Sequence, residues 1–144
     1  MIGRLLKPAA ASPMNSRLFV YGTLMSRVSH PMGTRLRGEA RLLGEATIEG
    51  RLYSLGCYPG LVEAVEGQYT VHGEVYALSS PAMSLHWLDV YEGIVPGNPL
   101  SPYVRVERAV RLASGKSCTA WVYLYRRSVR SRPEVLSGVW IPPQ

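Results

Sequence analysis

Glycine interrupts several of the extended segments that this sequence predicts, and this limits the possible folds more than any other feature. Residues 40–53 and 69–78 alternate apolar and polar side chains as strands do, and Gly44, Gly50 and Gly73 lie within them. Because a glycine inside a strand permits a bulge or a bend, we expect a strongly curved sheet. A small barrel is therefore a better prediction than a flat sheet.

The remaining predicted elements are short strands and one helix. Residues 103–112 alternate cleanly, and residues 120–125 form their partner strand across a hairpin turn. A helix is expected over Pro81–Tyr91, because Ser80 is a good N-cap and Pro81 a good first residue, and Gly93 ends it. Residues 25–33 are expected to form a polar loop.

The length and composition indicate a single globular domain. The chain has 144 residues, of which 47% are hydrophobic and 18% charged, as in ordinary soluble proteins. We expect the domain to span residues 17–144. Residues 1–16 are rich in Ala, Ser and Pro without periodicity, and we expect an extension that contributes little to stability.

The basic charge does not by itself indicate a nucleic-acid partner. The net charge is +6, yet the arginines are scattered except for a cluster of Arg126, Arg127, Arg130 and Arg132. Aromatic side chains are not interleaved there as a base-stacking surface would require. A solvated basic face is the favoured interpretation.

The two cysteines argue against a metal site. Cys57 and Cys118 form no C-x-x-C spacing, and the sequence has no histidine cluster beside them. A disulfide between them is left open. No signal peptide or membrane-spanning apolar run is apparent, so the predicted compartment is the cytoplasm, with reduced thiols.

A strand that ends abruptly at a glycine offers a candidate binding site. Residues 17–21 form a predicted strand, and Gly22 follows at once, where it is expected to adopt backbone angles that other residues avoid. The N–H groups of such a turn can form a concavity that accepts a carboxylate. On these residues alone, a plain strand-to-loop turn is the favoured explanation of the pattern.

Glu92 is the candidate acid/base at the end of the predicted helix. The negative end of the helix dipole raises the pKa of a carboxyl there, which suits proton transfer near neutral pH. A solvated glutamate is the simpler alternative. Asp89 is expected to be a surface residue or a loop anchor, and His72 to face solvent from its strand.

An ordered set of motifs resembles the γ-glutamylcyclotransferase-like superfamily. The similarity is to its small bacterial members, relatives of the plant avirulence-induced-gene-like proteins, and runs over about residues 17 to 140. The motifs are residues 19–24, 43–46, 52–60, 71–76, 88–93 and 121–125, with Tyr103-x-Arg105 and Ser137-Gly138-x-Trp140.

The resemblance implies an α+β fold, a small mixed β-barrel of about five to seven strands with one or two helices and a pocket at one end. It implies that the γ-glutamyl group is held by Tyr21, Gly22, Thr23 and Leu24. It also assigns the general acid/base role to Glu92 and a place in the pocket wall to Tyr103, with Tyr125 as a further wall. Residues 94–102 look longer than the family's loop, which affects the leaving-group side.

The implied reaction converts a γ-glutamyl amide to 5-oxoproline and a free amine. It needs no metal or organic cofactor, and the implied partner is a small γ-glutamyl substrate rather than a membrane or nucleic acid. The alternatives are a non-catalytic small-molecule-binding module of the same fold and a basic nucleic-acid-binding barrel. The leaving amine and the oligomeric state are left open.

Overall fold

The computed structural model describes residues 14–65 and 67–143. Seven strands and two helices occur in this part of the chain. In order they are β1 (Arg17–Val20), α1 (Pro31–Glu39), β2 (Ala40–Glu49), β3 (Arg51–Ser54), β4 (Pro59–Val62), β5 (Thr70–Leu78), α2 (Pro81–Tyr91), β6 (Tyr103–Leu112) and β7 (Ser117–Tyr125).

Five of the strands close into a barrel in the order β1-β5-β2-β6-β7. Neighbouring strands are antiparallel except β1 and β7, which are parallel and meet through the single pair Leu18–Trp121. Strands β3 and β4 form a separate hairpin. The expected mixed barrel with two helices is thus confirmed.

Glycines bend the strands where the sequence indicated. The register between β2 and β5 shifts between Leu42 and Gly44, and Gly44 has a φ of 143°. At Gly73 in β5, a Cβ would lie 2.2 Å from the carbonyl oxygen of Val20, so only glycine allows β1 to approach this closely. The predicted segment 40–53 is divided at Gly50 into β2 and β3.

Helix α1 was not predicted, and its first residues occupy part of the expected loop 25–33. It begins after His30, whose side chain accepts a hydrogen bond from a backbone N–H, and has a proline at its start. Its buried face consists only of Gly33 and Leu36. Such a face produces almost no apolar periodicity, which is why the sequence did not reveal the helix.

Helix α2 packs on the barrel with its C-terminus at one barrel end. It buries Ser84, Leu85, Trp87 and Leu88, and Ser80 stands at its N-cap position without a side-chain hydrogen bond. Gly93 follows with a φ of 77°, as expected for the residue that ends a helix. Because Glu92 lies between the packed helix and Gly93, its position relative to the barrel is fixed.

The first described residues are attached to the barrel. Leu78 donates its N–H to the Ser16 carbonyl at 2.7 Å, and the Trp121 indole donates to the Asn15 carbonyl at 2.8 Å. Of the expected extension 1–16, residues 1–13 lie outside the described residues. Of its described residues, 14–16, both Asn15 and Ser16 hydrogen-bond to the barrel.

Several smaller expectations can be compared with the structure. His72 is exposed on β5, as expected. Cys57 and Cys118 are both free thiols. Among residues 14–65 and 67–143, no helix is both long and apolar enough to cross a bilayer.

Candidate functional site

The loop after β1 leaves three consecutive backbone N–H groups free. Met25 donates its N–H to the Gly22 carbonyl at 3.1 Å, which closes the turn. Within the described part of the chain, no hydrogen-bond acceptor is recorded for the N–H groups of Gly22, Thr23 and Leu24. We call residues 22–24 the amide loop, and free N–H groups in such a turn suit an anion.

The amide loop forms one wall of a cavity of about 510 Å³. The other walls come from the C-terminus of α2, the turn before β4 and the start of β6. The lining residues are Phe19, Val20, Tyr21, Gly22, Thr23, Leu24, His30, Cys57, Tyr58, Pro59, Tyr91, Glu92, Gly93, Pro102, Tyr103 and Tyr123. A concave site with a few convergent polar groups is the usual form of a small-molecule site.

Glu92 is the carboxyl in this cavity wall. It is the C-cap of α2, and its backbone N–H donates to the Leu88 carbonyl at 2.9 Å. Its carboxyl has no hydrogen bond or ion pair with any other described residue. Burial raises the pKa of Glu92 to about 7, and the negative charge of Asp89 adds to the rise. Burial, rather than the helix dipole invoked from the sequence, is thus the main cause.

Tyrosine hydroxyls surround Glu92 and stay neutral. Burial raises the pKa of Tyr103, and the charge of Glu92 raises it further. Burial likewise raises the pKa of Tyr91, with a smaller contribution from Glu92. The carboxyl of Glu92 therefore lies among neutral hydroxyl groups rather than beside a cation.

Asp89 is already fully engaged and does not serve the cavity as a second carboxylate. The Arg105 guanidinium donates to both of its oxygens, at 2.8 and 3.2 Å, and the Tyr123 hydroxyl donates to one of them at 2.6 Å. These bonds hold the end of α2 against β6 and β7. Asp89, expected from the sequence to be a surface residue or a loop anchor, therefore anchors helix α2 to the barrel strands.

Tyr21 lines the cavity with its ring, but its hydroxyl is used in packing. The hydroxyl donates to the Tyr123 carbonyl at 2.6 Å and accepts the Leu61 N–H at 3.3 Å. These bonds connect β7 to the β3–β4 hairpin. What Tyr21 offers a ligand is therefore its ring face, while the polar contacts come from the amide loop.

Of the two predicted pocket tyrosines, Tyr103 and Tyr125, only Tyr103 lines the cavity. Tyr103 lines the cavity, and its hydroxyl donates to the Pro59 carbonyl at 2.7 Å. Tyr125 is not among the lining residues; its ring packs edge-on against Tyr103, with 5.4 Å between the ring centroids. The structure therefore brings together the predicted residues Tyr21–Leu24, Glu92 and Tyr103, and leaves out Tyr125.

The glycine of the amide loop is required for a reason other than the one expected. Gly22 does not have a positive φ. A Cβ on Gly22 would lie 2.8 Å from Cγ and 2.9 Å from Cδ of Pro59. The close approach of Pro59, the first residue of β4, rather than an unusual backbone angle, therefore requires glycine here.

Four polar lining residues were not predicted as site residues from the sequence. They are His30 at the start of α1, Tyr58 before β4, Tyr91 at the end of α2, and Tyr123 on β7. Tyr91 shares a 2.6 Å hydrogen bond with the Thr23 hydroxyl, and its ring lies 5.7 Å from that of His30. Tyr91 directly precedes Glu92 in the motif of residues 88–93, so the sequence does indicate that it lies near the site.

A metal centre has no support in this structure. Among the described residues, no group of three or more His, Cys, Asp or Glu side chains is placed to hold a metal ion. The cavity offers instead one unpaired carboxyl, three free amide N–H groups and several neutral tyrosines. Such a set can bind an anion and exchange a proton.

The sequence and the fold both match proteins of one family. A family model described as "Gamma-glutamyl cyclotransferase, AIG2-like" matches residues 18–142. The chain belongs to this family. Within the γ-glutamylcyclotransferase family, it is 37% identical over 129 residues to the "Gamma-glutamylcyclotransferase family protein ytfP" of Citrobacter rodentium, covering 87% of this chain and 95% of that one.

Solved structures of γ-glutamylcyclotransferase relatives have the same fold. The solution structure of protein ytfP from Escherichia coli has a TM-score of 0.62 and 36% identity, and covers 87% of this chain and 96% of that one. An aig2-like protein from Mus musculus has a TM-score of 0.65 at 21% identity over 90% of this chain and 96% of its own, a likeness of fold alone.

Proposed function

We propose that this protein cyclises a γ-glutamyl amide to 5-oxoproline and releases a free amine. The observation that carries the proposal is that one cavity contains both a group for proton transfer and a group of anion-binding N–H donors. An unpaired Glu92 carboxyl, whose pKa burial raises to about 7, shares the cavity with the three free N–H groups of the amide loop. The loop binds an anion, and the carboxyl exchanges protons at neutral pH.

Binding in this proposal begins at the amide loop. The N–H groups of Gly22, Thr23 and Leu24 donate hydrogen bonds to the α-carboxylate of the γ-glutamyl group, and the ring of Tyr21 packs beside its methylene chain. Fixing this end orients the α-amine toward the γ-carbonyl of the same molecule. Holding the reacting atoms in this arrangement lowers the entropic part of the barrier.

Glu92 then carries protons, one after the other, from the nucleophile to the leaving group. Its carboxylate removes a proton from the α-ammonium, and the freed amine attacks the γ-carbonyl carbon. A ring C–N bond forms, the bond to the leaving amine breaks, and the protonated Glu92 gives its proton to that amine. The ring nitrogen, which still carries two hydrogens, loses one to the Glu92 carboxylate, which passes it to the released amine, so the products are 5-oxoproline and an ammonium ion. The carboxylate is regenerated without any outside reactant, and a pKa near 7 suits both transfers.

The test is release of 5-oxoproline from a panel of γ-glutamyl amino acids and γ-glutamylamines. Glu92→Gln has nearly the same shape but cannot carry the proton. We expect turnover to fall by about two to four orders of magnitude, while 5-oxoproline binding and the circular dichroism spectrum are retained. Glu45→Gln, an exposed glutamate on β2, is the matched control and should behave as wild type.

Two results would contradict the proposal. If Glu92→Gln releases 5-oxoproline as fast as wild type, Glu92 is not the acid/base. If the wild type binds γ-glutamyl compounds and releases nothing from any of them, the chain is a binding module that keeps the family's pocket.

A further inference from the structure

His30 is held at the cavity by its position at the start of α1. It is the N-cap residue of α1, and its Nδ1 accepts the backbone N–H of Met32 at 3.1 Å. The side chain is half-buried and lines the same cavity as Glu92. One edge of the imidazole thus caps the helix while the rest of the ring faces the site.

The capping bond fixes which ring nitrogen carries the hydrogen. Because Nδ1 accepts a hydrogen bond from an amide, it must be unprotonated, and the neutral ring carries its hydrogen on Nε2. Nε2 lies on the side of the ring away from the capped amide. In the part of the chain that the structure describes, no acceptor is recorded for this N–H.

The neighbours of His30 connect it to the amide loop. Its ring contacts Tyr91 edge-on, with 5.7 Å between the centroids and an angle of 62° between the planes. The Tyr91 hydroxyl in turn shares a 2.6 Å hydrogen bond with the Thr23 hydroxyl. His30, Tyr91 and Thr23 therefore form one continuous wall that ends at the free N–H groups of the loop.

We propose that His30 determines specificity by donating its Nε2–H to the α-carboxylate of the bound γ-glutamyl group. This inference rests on the proposed function, in which the amide loop binds that carboxylate. A carboxylate accepts about four hydrogen bonds, so it has room for the imidazole N–H beside the amides. A hydrogen bond to a charged oxygen contributes more binding free energy than a hydrogen bond to a neutral oxygen.

This arrangement also rejects ligands that carry an amide in place of the carboxylate. The backbone N–H groups of residues 22–24 and the Nε2–H of His30 are all donors to this position. A carboxamide would bring its own NH₂ group against them and leave a buried donor without an acceptor. The site should therefore require a free α-carboxylate, with His30 supplying part of that requirement.

The probes are 5-oxoproline and 5-oxoprolinamide, which differ only in the carboxylate. The test variant is His30→Ser, since serine caps a helix well but is too short to reach the cavity. We expect wild type to prefer 5-oxoproline. His30→Ser should weaken 5-oxoproline binding by about tenfold and leave 5-oxoprolinamide binding nearly unchanged, with an unaltered melting temperature.

Two companion variants separate binding from folding. His86→Ser changes an exposed histidine of α2 that does not line the cavity, and should bind both probes as wild type does. His30→Ala removes the helix cap as well as the ring, so it should bind like His30→Ser but melt at a lower temperature. For γ-glutamyl substrates, His30→Ser should raise KM and leave kcat nearly constant.

The outcomes distinguish this inference from the proposed function. If His30→Ser keeps the wild-type preference for 5-oxoproline unchanged, His30 does not determine specificity. This holds whether or not the protein releases 5-oxoproline from γ-glutamyl amides. If the wild type releases no 5-oxoproline yet shows a preference that His30→Ser abolishes, the proposed reaction fails and the carboxylate contact stands. If the wild type binds neither probe and releases no 5-oxoproline, both are wrong.

Discussion

At the scale of single residues, the Glu92 carboxyl costs the folded protein stability whenever it is ionised. Burial raises its pKa from an ordinary 4.5 to about 7. The folded chain therefore holds this proton more tightly than the unfolded chain does. Between pH 4.5 and about 7 the contribution of Glu92 to stability falls as the pH rises, and above pH 7 the full cost is present.

Glu92→Gln should therefore be more stable than wild type at alkaline pH. The expected gain at pH 8 is on the order of 2 kcal/mol, and it should shrink as the pH is lowered toward about 5. Thermal unfolding of both proteins across this range is the measurement, with Glu45→Gln as the control. A pH-independent difference would mean that Glu92 is not buried as the structure places it. A gain in stability with a loss of turnover is typical of a site strained for function.

At the scale of secondary-structure elements, α1 is the weakest part of the fold near the site. It has nine residues and contains two glycines. Gly33 is buried, and a Cβ there would lie 3.5 Å from the Thr23 carbonyl oxygen. Gly38 is different, because a Cβ there would meet nothing within 4 Å.

Replacing Gly38 with alanine should stabilise the protein. Alanine reduces the conformational freedom of the unfolded chain and favours the helix, so the expected gain is about 0.5–1 kcal/mol. Chemical denaturation measures it. Binding of 5-oxoproline should not change, since Gly38 does not line the cavity. A loss of stability would show that the end of α1 does not have the helical geometry described.

The elements that the sequence revealed are those with strong periodicity or clear end signals. Strand β6 alternates over ten residues, and α2 is bounded by Ser80-Pro81 and Gly93, so both were predicted with accurate limits. The N-terminal signal of α1, a histidine before a proline, does not by itself predict a helix, because no apolar stripe follows it. The start of β4 at Pro59 is not apparent from the sequence, because the Gly- and Pro-containing residues 56–60 have the composition of a turn.

The candidate site was partly predictable for a related reason. Glu92 and the amide loop lie in short motifs that the sequence displays locally. The partners of these motifs depend on the tertiary fold: Tyr123 lies 102 residues from the Tyr21 hydroxyl that it binds. No local pattern marks such a residue, and barrel closure alone brings it to the cavity.

At the scale of the whole molecule, the barrel closes at a narrow seam. Strands β1 and β7 share only the pair Leu18–Trp121. The seam is reinforced by Asn15, just before β1, whose amide donates to the Thr119 carbonyl and to the Glu107 carboxylate, both at 3.0 Å. Its side-chain oxygen accepts the Arg17 N–H at 2.9 Å. One side chain thus connects the start of β1 to β6 and β7.

Asn15→Ala should therefore destabilise the barrel although the side chain lies at the surface. Loss of these bonds is expected to cost about 1–2 kcal/mol, discounted for solvent exposure, and to lower the melting temperature by several degrees.

Asn15→Asp keeps the acceptor for Arg17 but loses both donors and places a negative charge beside Glu107, so it should be at least as unstable. Asn98→Ala, which removes only a local bond to Leu100, is the control and should cost less. A chain that begins at Met14 keeps Asn15 and should melt with the full-length protein. The small contribution that the sequence predicted for residues 1–16 is thus proposed here for residues 1–13 alone. If Asn15→Ala melts with wild type, the seam is held by the packing of Leu18 and Trp121 alone.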